Sequence, residues 1–429
     1  MEMVMQYVWQ TGAWGRGPIA TVDGRRVDVV DRGTLNTGSG PDFFNAKVRI
    51  DGQLWIGNIE IHVRASDWYR HGHDSDTAYA NVILHVVAVD DCEVTLPGTS
   101  AVIPQVLMRD APRYKDFYDR LANRELPAVG CASRLPQLTA LEREEWLANL
   151  GYARLQRKAD DIAAMVEKSA GDWSQTAFVI LARGLGFGTN ADAMERMARS
   201  LPLKILAKHA DKRLALEAML MGQAGLIQTD TPADDYHARL IDEYRFMVKK
   251  FNLEAPMGPE AWHFGAIRPD NTPWRRIALL AACVAEGVAG GSRLFELSST
   301  DQALALFDLD ISPYWQSHSR PGVEATLNRR LSVASRNLLI INVILPLIYA
   351  RAEAIGRYDR TAVCPDILQS LPAEDNRIVR LFSQAGITAR DALASQAIIE
   401  LYTSYCTQRR CLSCRFAHRL LAHTISAGR

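Results

Sequence analysis

Two acidic residues and a histidine lie on neighbouring predicted strands in the segment GPDFFNAKVRIDGQLWIGNIEIHV, residues 40–63. Asp42 begins the first strand, and Glu60 lies near the end of the second. His62 follows Glu60 by two residues, so strand alternation puts both side chains on one face. Two carboxylates and a backbone carbonyl can hold Mg²⁺, which prefers oxygen ligands and keeps several waters. The segment therefore predicts a magnesium site formed by Asp42 and Glu60.

The connection between the two strands decides whether the two carboxylates share a face. A tight two-residue loop at Asp51 turns Asp42 away from Glu60. A three-residue loop, or a bulge at Gly57, changes the facing by one residue and brings both carboxylates onto the face of His62. The metal site requires one of these irregularities. Without them, Asp42 caps a turn and Glu60 lies on a solvated strand face.

A second polar segment, SDWYRHGHDSDTAY (residues 66–79), follows the hairpin. Arg70, His71 and His73 are candidates to bind phosphate groups of a substrate, beside a tryptophan and a tyrosine suited to stacking on bases. Loops on rigid scaffolds often carry function. The alternative interpretation is a polar loop that leads into the next strand, and both stay open.

The tail contains a third candidate site in YCTQRRCLSCRFAH, residues 405–418. Cys406, Cys411 and Cys414 have spacings that suit a zinc site or an iron–sulfur cluster. His418 or Cys364 would complete the ligand set. The alternative is a group of reduced structural thiols, because a buried free cysteine behaves as a small hydrophobe.

Composition predicts a soluble protein. Hydrophobic residues make up 48% of the 429 residues and charged residues 23%, with 49 basic and 49 acidic side chains. This balance gives no global argument for binding nucleic acid or a membrane surface. The longest apolar run, residues 338–350, is shorter than the roughly 20 residues needed to cross a bilayer. The N-terminus has no secretory signal, and an odd number of cysteines favours a reduced cytoplasm.

The chain changes character near residue 130. Strand-like alternation and turn residues dominate the first part, and helical periodicity dominates the rest. We therefore predict an α+β or α/β domain at residues 1–130 with a mixed sheet, followed by a larger all-helical domain at residues 131–429 that ends in the cysteine-rich tail.

The strand pair resembles the PD-(D/E)xK nuclease pattern. Asp42 matches the aspartate of that motif, Glu60 the second acid, and His62 stands where those nucleases usually have lysine. The longer run LNTGSGPDFFNAKVRIDGQLWIGNIEIHVRASDWYRHGHDSDTAYANVILHVV resembles the N-terminal signature of an uncharacterised bacterial family, domain of unknown function 2851. The second resemblance spans nearly the whole chain.

The nuclease resemblance implies an αβββαβ core, with Glu2 on the first helix assisting the two motif acids. It also raises a question about charge. Lysine would supply a fixed positive charge near the attacking water, whereas histidine with an ordinary pKa of about 6.5 is mostly neutral at pH 7. Arg64, on the same strand face as His62, could supply that charge instead.

These features predict a Mg²⁺-dependent nuclease that acts on DNA or RNA. In that hypothesis Asp42 and Glu60 hold the metal, and His62 or Arg64 orients the water. The alternative is a non-catalytic module that binds nucleic acid or protein, with a degenerate nuclease fold and a structural zinc site at the tail.

Overall fold

The chain folds into two compact units in the computed structural model. The structure describes residues 1–12, 19–36, 38–109, 115–116, 118–119, 129–291 and 293–426. The first unit comprises Met1–Trp146, Leu381–Ile387 and Leu401–Arg429, and the second comprises Leu147–Arg380 and Thr388–Glu400.

The N-terminal part of the first unit is built around one mixed sheet. Its elements are α1 (Glu2–Thr11), β1 (Ile19–Ala20), β2 (Arg26–Asp31), β3 (Thr34–Leu35), β4 (Phe43–Ile50), β5 (Gln53–Arg64), α2 (Asp67–Arg70), β6 (Val82–Val89) and β7 (Gln105–Leu107). The strand order is β1-β2-β4-β5-β6-β7, with β3 paired to β4. Strands β1 to β5 pair antiparallel, whereas β6 runs parallel to β5 and β7 parallel to β6.

The β4–β5 hairpin turns through two residues. Asp51 and Gly52 both have positive φ angles, 48° and 84°, the backbone of the tight turn that Asp-Gly favours between strands. Ile50 therefore pairs directly with Gln53. The three-residue loop considered from the sequence is wrong.

An extra residue appears in β4 instead. Ala46 pairs with Gly57, but Phe43 pairs with Ile59, so two residues of β4 face one residue of β5. Asn45 has a φ of 57°, a left-handed conformation that Asn tolerates better than most residues. The bulge is thus at Asn45, whereas the predicted position, Gly57, pairs regularly.

The bulge brings the two motif acids together. Continuing the Phe43–Ile59 register places Asp42 opposite Glu60, on the same face of the sheet. Gly57 is needed for a different reason, since a Cβ there would lie 2.5 Å from a methyl group of Ile83 on the neighbouring strand.

The remaining regular elements are almost all helical: α3 (Ala140–Lys168), α4 (Trp173–Leu185), α5 (Ala191–Arg199), α6 (Leu203–Ala207), α7 (Arg213–Gln223), α8 (Asp235–Phe251), α9 (Pro273–Ala285), α10 (Thr300–Ala305), α11 (Pro313–Ser317), β8 (His318–Arg320), β9 (Val323–Glu324), α12 (Val333–Leu339), α13 (Leu345–Ala354), α14 (Tyr358–Thr361), α15 (Val363–Ser370), α16 (Arg377–Gln384), α17 (Ala392–Leu401) and α18 (Arg415–Ser426). One extensive hydrophobic core fills the second unit, and α7 and α9 are buried along most of their length. The prediction of a mixed sheet followed by a larger helical part is confirmed.

One helix among the described residues is long and apolar enough to cross a membrane. It runs from Val333 to Ala354, through α12, the π-helical turn Ile340–Ile344 and α13, and 56% of its most apolar window is buried inside the structure. A buried core helix passes the same test of length and composition.

The two units divide the chain differently from a single boundary near residue 130. The tail from Leu401 onward returns to the first unit, which also includes the start of α3. The cysteine-rich tail and the sheet therefore belong to the same unit.

Asn45 provides a test of the bulge. We expect Asn45→Val to lower the opening free energy of the β4 and β5 amides by about 1–3 kcal/mol relative to Asn45→Gly, because a β-branched residue is strained at positive φ. Native-state hydrogen exchange measures this quantity. Lys47→Val, at an exposed and regularly extended position of β4, is the matched control. Equal protection in all three variants would contradict the assigned backbone.

Candidate metal centre

Asp42 and Glu60 are held against each other by hydrogen bonds. The Asp42 backbone N–H donates to Glu60 Oε2 at 3.0 Å. The Ile61 N–H donates to Asp42 Oδ2 at 2.9 Å, and the Gln6 amide on α1 donates to Asp42 Oδ1 at 2.8 Å. Only the first of these bonds reaches Glu60, where it occupies Oε2. Glu60 Oε1 therefore remains available to the side chains on the other side of the site.

The two carboxyl groups disfavour each other's charge. Burial raises the pKa of both, and the Asp42 charge raises the pKa of Glu60 further. Glu2, near the start of α1, adds to both effects. Two buried carboxylates with a third nearby are costly unless a cation or proton compensates them. The structure thus brings Glu2, Asp42 and Glu60 into one electrostatic group.

Three histidines complete the group around Glu60 Oε1. His62 lies two residues further along β5, and its Nε2 is 3.4 Å from Glu60 Oε1. His73 Nε2 lies 3.4 Å from the same oxygen. His71 Nδ1 lies 3.2 Å from His62 Nε2. All three imidazoles thus present a nitrogen to one small volume.

The turn after α2 explains how His71 and His73 reach the same place. Gly72 between them has a φ of 76°, which ends the helix and reverses the chain with little strain. The ring of His73 stacks on Tyr79 at 3.8 Å, and buried Trp68 packs edge-on against it. Trp68 and Tyr79 therefore hold the ring of His73 in place.

The spacing of these atoms fits a metal ion. Ligands about 2.0–2.1 Å from a tetrahedral ion stand about 3.3 Å apart. Three pairs have separations of this size: Glu60 Oε1 with His62 and with His73, at 3.4 Å, and His62 with His71, at 3.2 Å. The ligand nitrogens of His62, His71 and His73 all lie within 4.8 Å of one another. Burial lowers the pKa of His62 to about 3, so its imidazole is neutral at pH 7, the form that binds metals.

His85 supports the site from the neighbouring strand. Its Nε2 lies 2.9 Å from His62 Nδ1, and the residue is fully buried. A metal-binding histidine commonly donates its second N–H to such a partner. His85 was not among the residues singled out from the sequence. Its signal was the position of a histidine within the apolar run NVILHVVAV, residues 81–89, because a buried histidine needs a polar partner.

The predicted arginines lie at different places. Arg70 is 68% exposed in its side chain and pairs with buried Asp67, next to His71. It lies at the open rim of the site. Arg64 pairs with Asp91 in an exposed contact of 3.0 Å. It is absent from the described contacts around Glu60.

The two residues proposed to complete the tail cysteines make other side-chain contacts. Cys364 belongs to the second unit, where its thiol donates to the Leu345 carbonyl. His418 packs edge-on against Tyr7. The three tail cysteines instead share a small cavity with Cys131, a residue that the sequence analysis did not consider.

Two larger cavities, of about 200 and 280 Å³, occur in the second unit. Arg268, Asn271 and Arg276 line both cavities. Residues of two segments, GLGFGTN (184–190) and WHFGAIRPDN (262–271), contribute to the larger cavity. We locate the candidate centre at the sheet, because among the described residues the group with metal-ligand spacing is found there.

The fold and site define a two-unit α+β protein with a pocket of histidines and carboxylates on a mixed sheet. The family described as "Protein of unknown function (DUF2851)" matches residues 2–377, and the chain belongs to this family. The resemblance stated from the long N-terminal signature is confirmed. No curated protein and no solved structure matches the chain.

Substitution of His85 tests whether this residue orients His62 for metal binding. We expect His85→Ala to weaken Zn²⁺ binding by roughly 10–100-fold, because His62 loses the partner that orients it. Competition against a chromophoric chelator measures the affinity, and His263→Ala, at an exposed histidine of the second unit, is the control. A folded His85→Ala protein with unchanged affinity would rule out this positioning role.

Proposed function

We propose that the protein is a metal-dependent phosphodiesterase that acts on nucleic acid. One observation carries the proposal: His62, His71 and His73 present ligand nitrogens within 4.8 Å of one another, and Glu60 Oε1 lies 3.4 Å from two of them, His62 and His73. Glu60 Oε1 can bind that ion directly or accept a proton from water beside it. The site is closed on the strand side and exposed at His71 and Arg70.

The ion that this ligand set favours is zinc or another transition metal. The expected Mg²⁺ rested on two carboxylates, but the convergent atoms are mainly imidazole nitrogens. Imidazole suits zinc, iron and copper, whereas carboxylate and water suit magnesium. When bound here, a divalent ion would lower the pKa of water and neutralise charge on a phosphodiester.

Each protein group has a defined part in this proposal. Asp42 positions Glu60 through its backbone N–H. Hydrolysis adds water across a P–O bond, so a group in the site must take a proton from the water, and Glu60 Oε1 is the acceptor on the inner wall. Arg70 at the rim can contact a neighbouring phosphate.

The preference for nucleic acid rests on the order of the elements. Helix α1, the antiparallel strands β2, β4 and β5, the short helix α2 and the parallel strand β6 occur in this order along the chain, with the two-residue strands β1 and β3 between them. Apart from those short strands, this order resembles the αβββαβ core of PD-(D/E)xK nucleases, in which Asp42 and Glu60 would be the motif acids. His62 stands at the lysine position and would serve as a ligand. A cytoplasmic location fits the seven free cysteines.

Nuclease assays test the proposal. The full chain, stripped of metal by a chelator, is incubated with linear double-stranded DNA, single-stranded DNA or RNA and with Zn²⁺, Mn²⁺ or Mg²⁺. We expect cleavage that requires the added ion and is faster with Zn²⁺ or Mn²⁺ than with Mg²⁺. Glu60→Gln and His73→Ala should each lower the rate by at least about 100-fold, a typical loss for a catalytic proton acceptor.

The controls separate a catalytic role from a structural one. His263→Ala should retain the wild-type rate, and circular dichroism should show the Glu60→Gln protein folded. If no ion supports cleavage of any substrate, and Glu60→Gln binds nucleic acid as tightly as wild type, the hydrolase proposal fails. That outcome would favour the binding module with a degenerate nuclease fold.

A further inference from the structure

Four cysteines from distant parts of the chain line one small cavity of the first unit. Cys131 precedes the 3-10 helix Ala132–Gln137. Cys406 ends the π-helical turn after α17, Cys411 begins a 3-10 turn, and Cys414 precedes α18. All four line a cavity of about 20 Å³, together with Tyr405, Arg409 and other residues.

The four thiols are close enough to affect each other's ionisation. Burial raises the pKa of Cys131 to about 12, and the nearby Cys414 and Cys411 raise it as well. Burial also raises the pKa of Cys406, again with contributions from the other three thiols. All four are free. Cys414 is buried and the other three are half-buried, and the four thiols lie near one another without a disulfide.

Structural thiols alone would not need this arrangement. Of the other three cysteines, Cys283 and Cys364 are buried in the second unit and Cys92 is half-buried beside the sheet. A free cysteine that only fills space has no reason to face three more. Four cysteines that line one cavity in a protein without disulfides are a ligand set typical of zinc or of an iron–sulfur cluster.

We propose that Cys131, Cys406, Cys411 and Cys414 bind a thiophilic metal centre through four thiolates. Cys131 is the fourth ligand, in place of Cys364 or His418. The centre would tie the C-terminal tail to the segment that precedes α3, within one unit. Its sulfur ligands distinguish it from the imidazole and carboxylate group at the sheet, and it stands independently of the proposed nuclease function.

A zinc ion and an iron–sulfur cluster would require different movements of the four thiol side chains. The cavity has room for roughly one water-sized body, which suits a single ion. Among the described residues, however, the group with ligand atoms within 4.8 Å is the histidine trio, so the sulfur atoms stand wider than the about 3.8 Å of a zinc tetrahedron. Thiol side chains must therefore rotate inward around zinc, or outward around a cluster.

Metal analysis of the full chain, purified without oxygen, tests this proposal. To remove the contribution of the sheet site, the measurement uses the His73→Ala background. We expect about one zinc ion per chain, or iron with sulfide and the visible absorption of an iron–sulfur cluster. Cys131→Ser should lose most of this metal, whereas Cys364→Ser and His418→Ala should retain it.

A second measurement does not depend on a variant that folds. In the protein without substitutions, the four thiols should resist alkylation until a strong chelator is added, and peptide mapping should then show all four modified together. If the chain contains no zinc, iron or sulfide, or if Cys131→Ser retains as much metal as Cys364→Ser, the proposal is overturned. Alkylation of the four thiols without chelator would overturn it as well.

Discussion

The arrangement of the site depends on one extra residue in a strand. Because Asn45 forms a bulge, the residues of β4 before it face the opposite way from a regular pairing, and Asp42 comes to lie opposite Glu60. The hydrogen bond from the Asp42 N–H to Glu60 Oε2 exists only in that register. Without the bulge, Asp42 would lie on the other face and Glu60 Oε2 would lose this buried donor.

Burial makes this polar group both costly and specific. Glu60, His62 and His85 are each less than 5% exposed, so every polar atom among them needs a partner. A chain of contacts supplies those partners: it runs from Asp42 through Glu60 and His62 to His85. Trp68 and Tyr79 pack against the ring of His73 and fix its position. A ligand set held this rigidly needs little rearrangement to bind an ion.

The first unit offers two ligand sets of different chemical character. The group at the sheet presents imidazole nitrogens and a carboxylate oxygen, and the group at the tail presents thiols. Borderline metals accept the first set, whereas the second selects thiophilic ones. In the proposals made above, the sheet site has an exposed rim at His71 and Arg70, where a substrate could enter, whereas four cysteine ligands are typical of structural metal sites.

Local patterns in the sequence were sufficient for the elements and for most candidate residues. Thr139 and Glu142 have the spacing of a capping box, and they form one at the start of helix α3. Residue types and strand alternation were enough to single out Asp42, Glu60, His62, His71 and His73. These signals are readable because helix caps, helical periodicity and strand alternation act over a few residues.

Only the tertiary structure decided how these residues combine. The position of the bulge, the approach of His85 from a parallel strand and the meeting of Cys131 with the tail all depend on long-range packing. No spacing along the chain encodes such contacts, because strand pairing and tail docking join segments that are remote in sequence. The sequence by itself determined the helices, the strands and most of the polar side chains that could form a site, and the packing of distant segments decided which of these side chains meet.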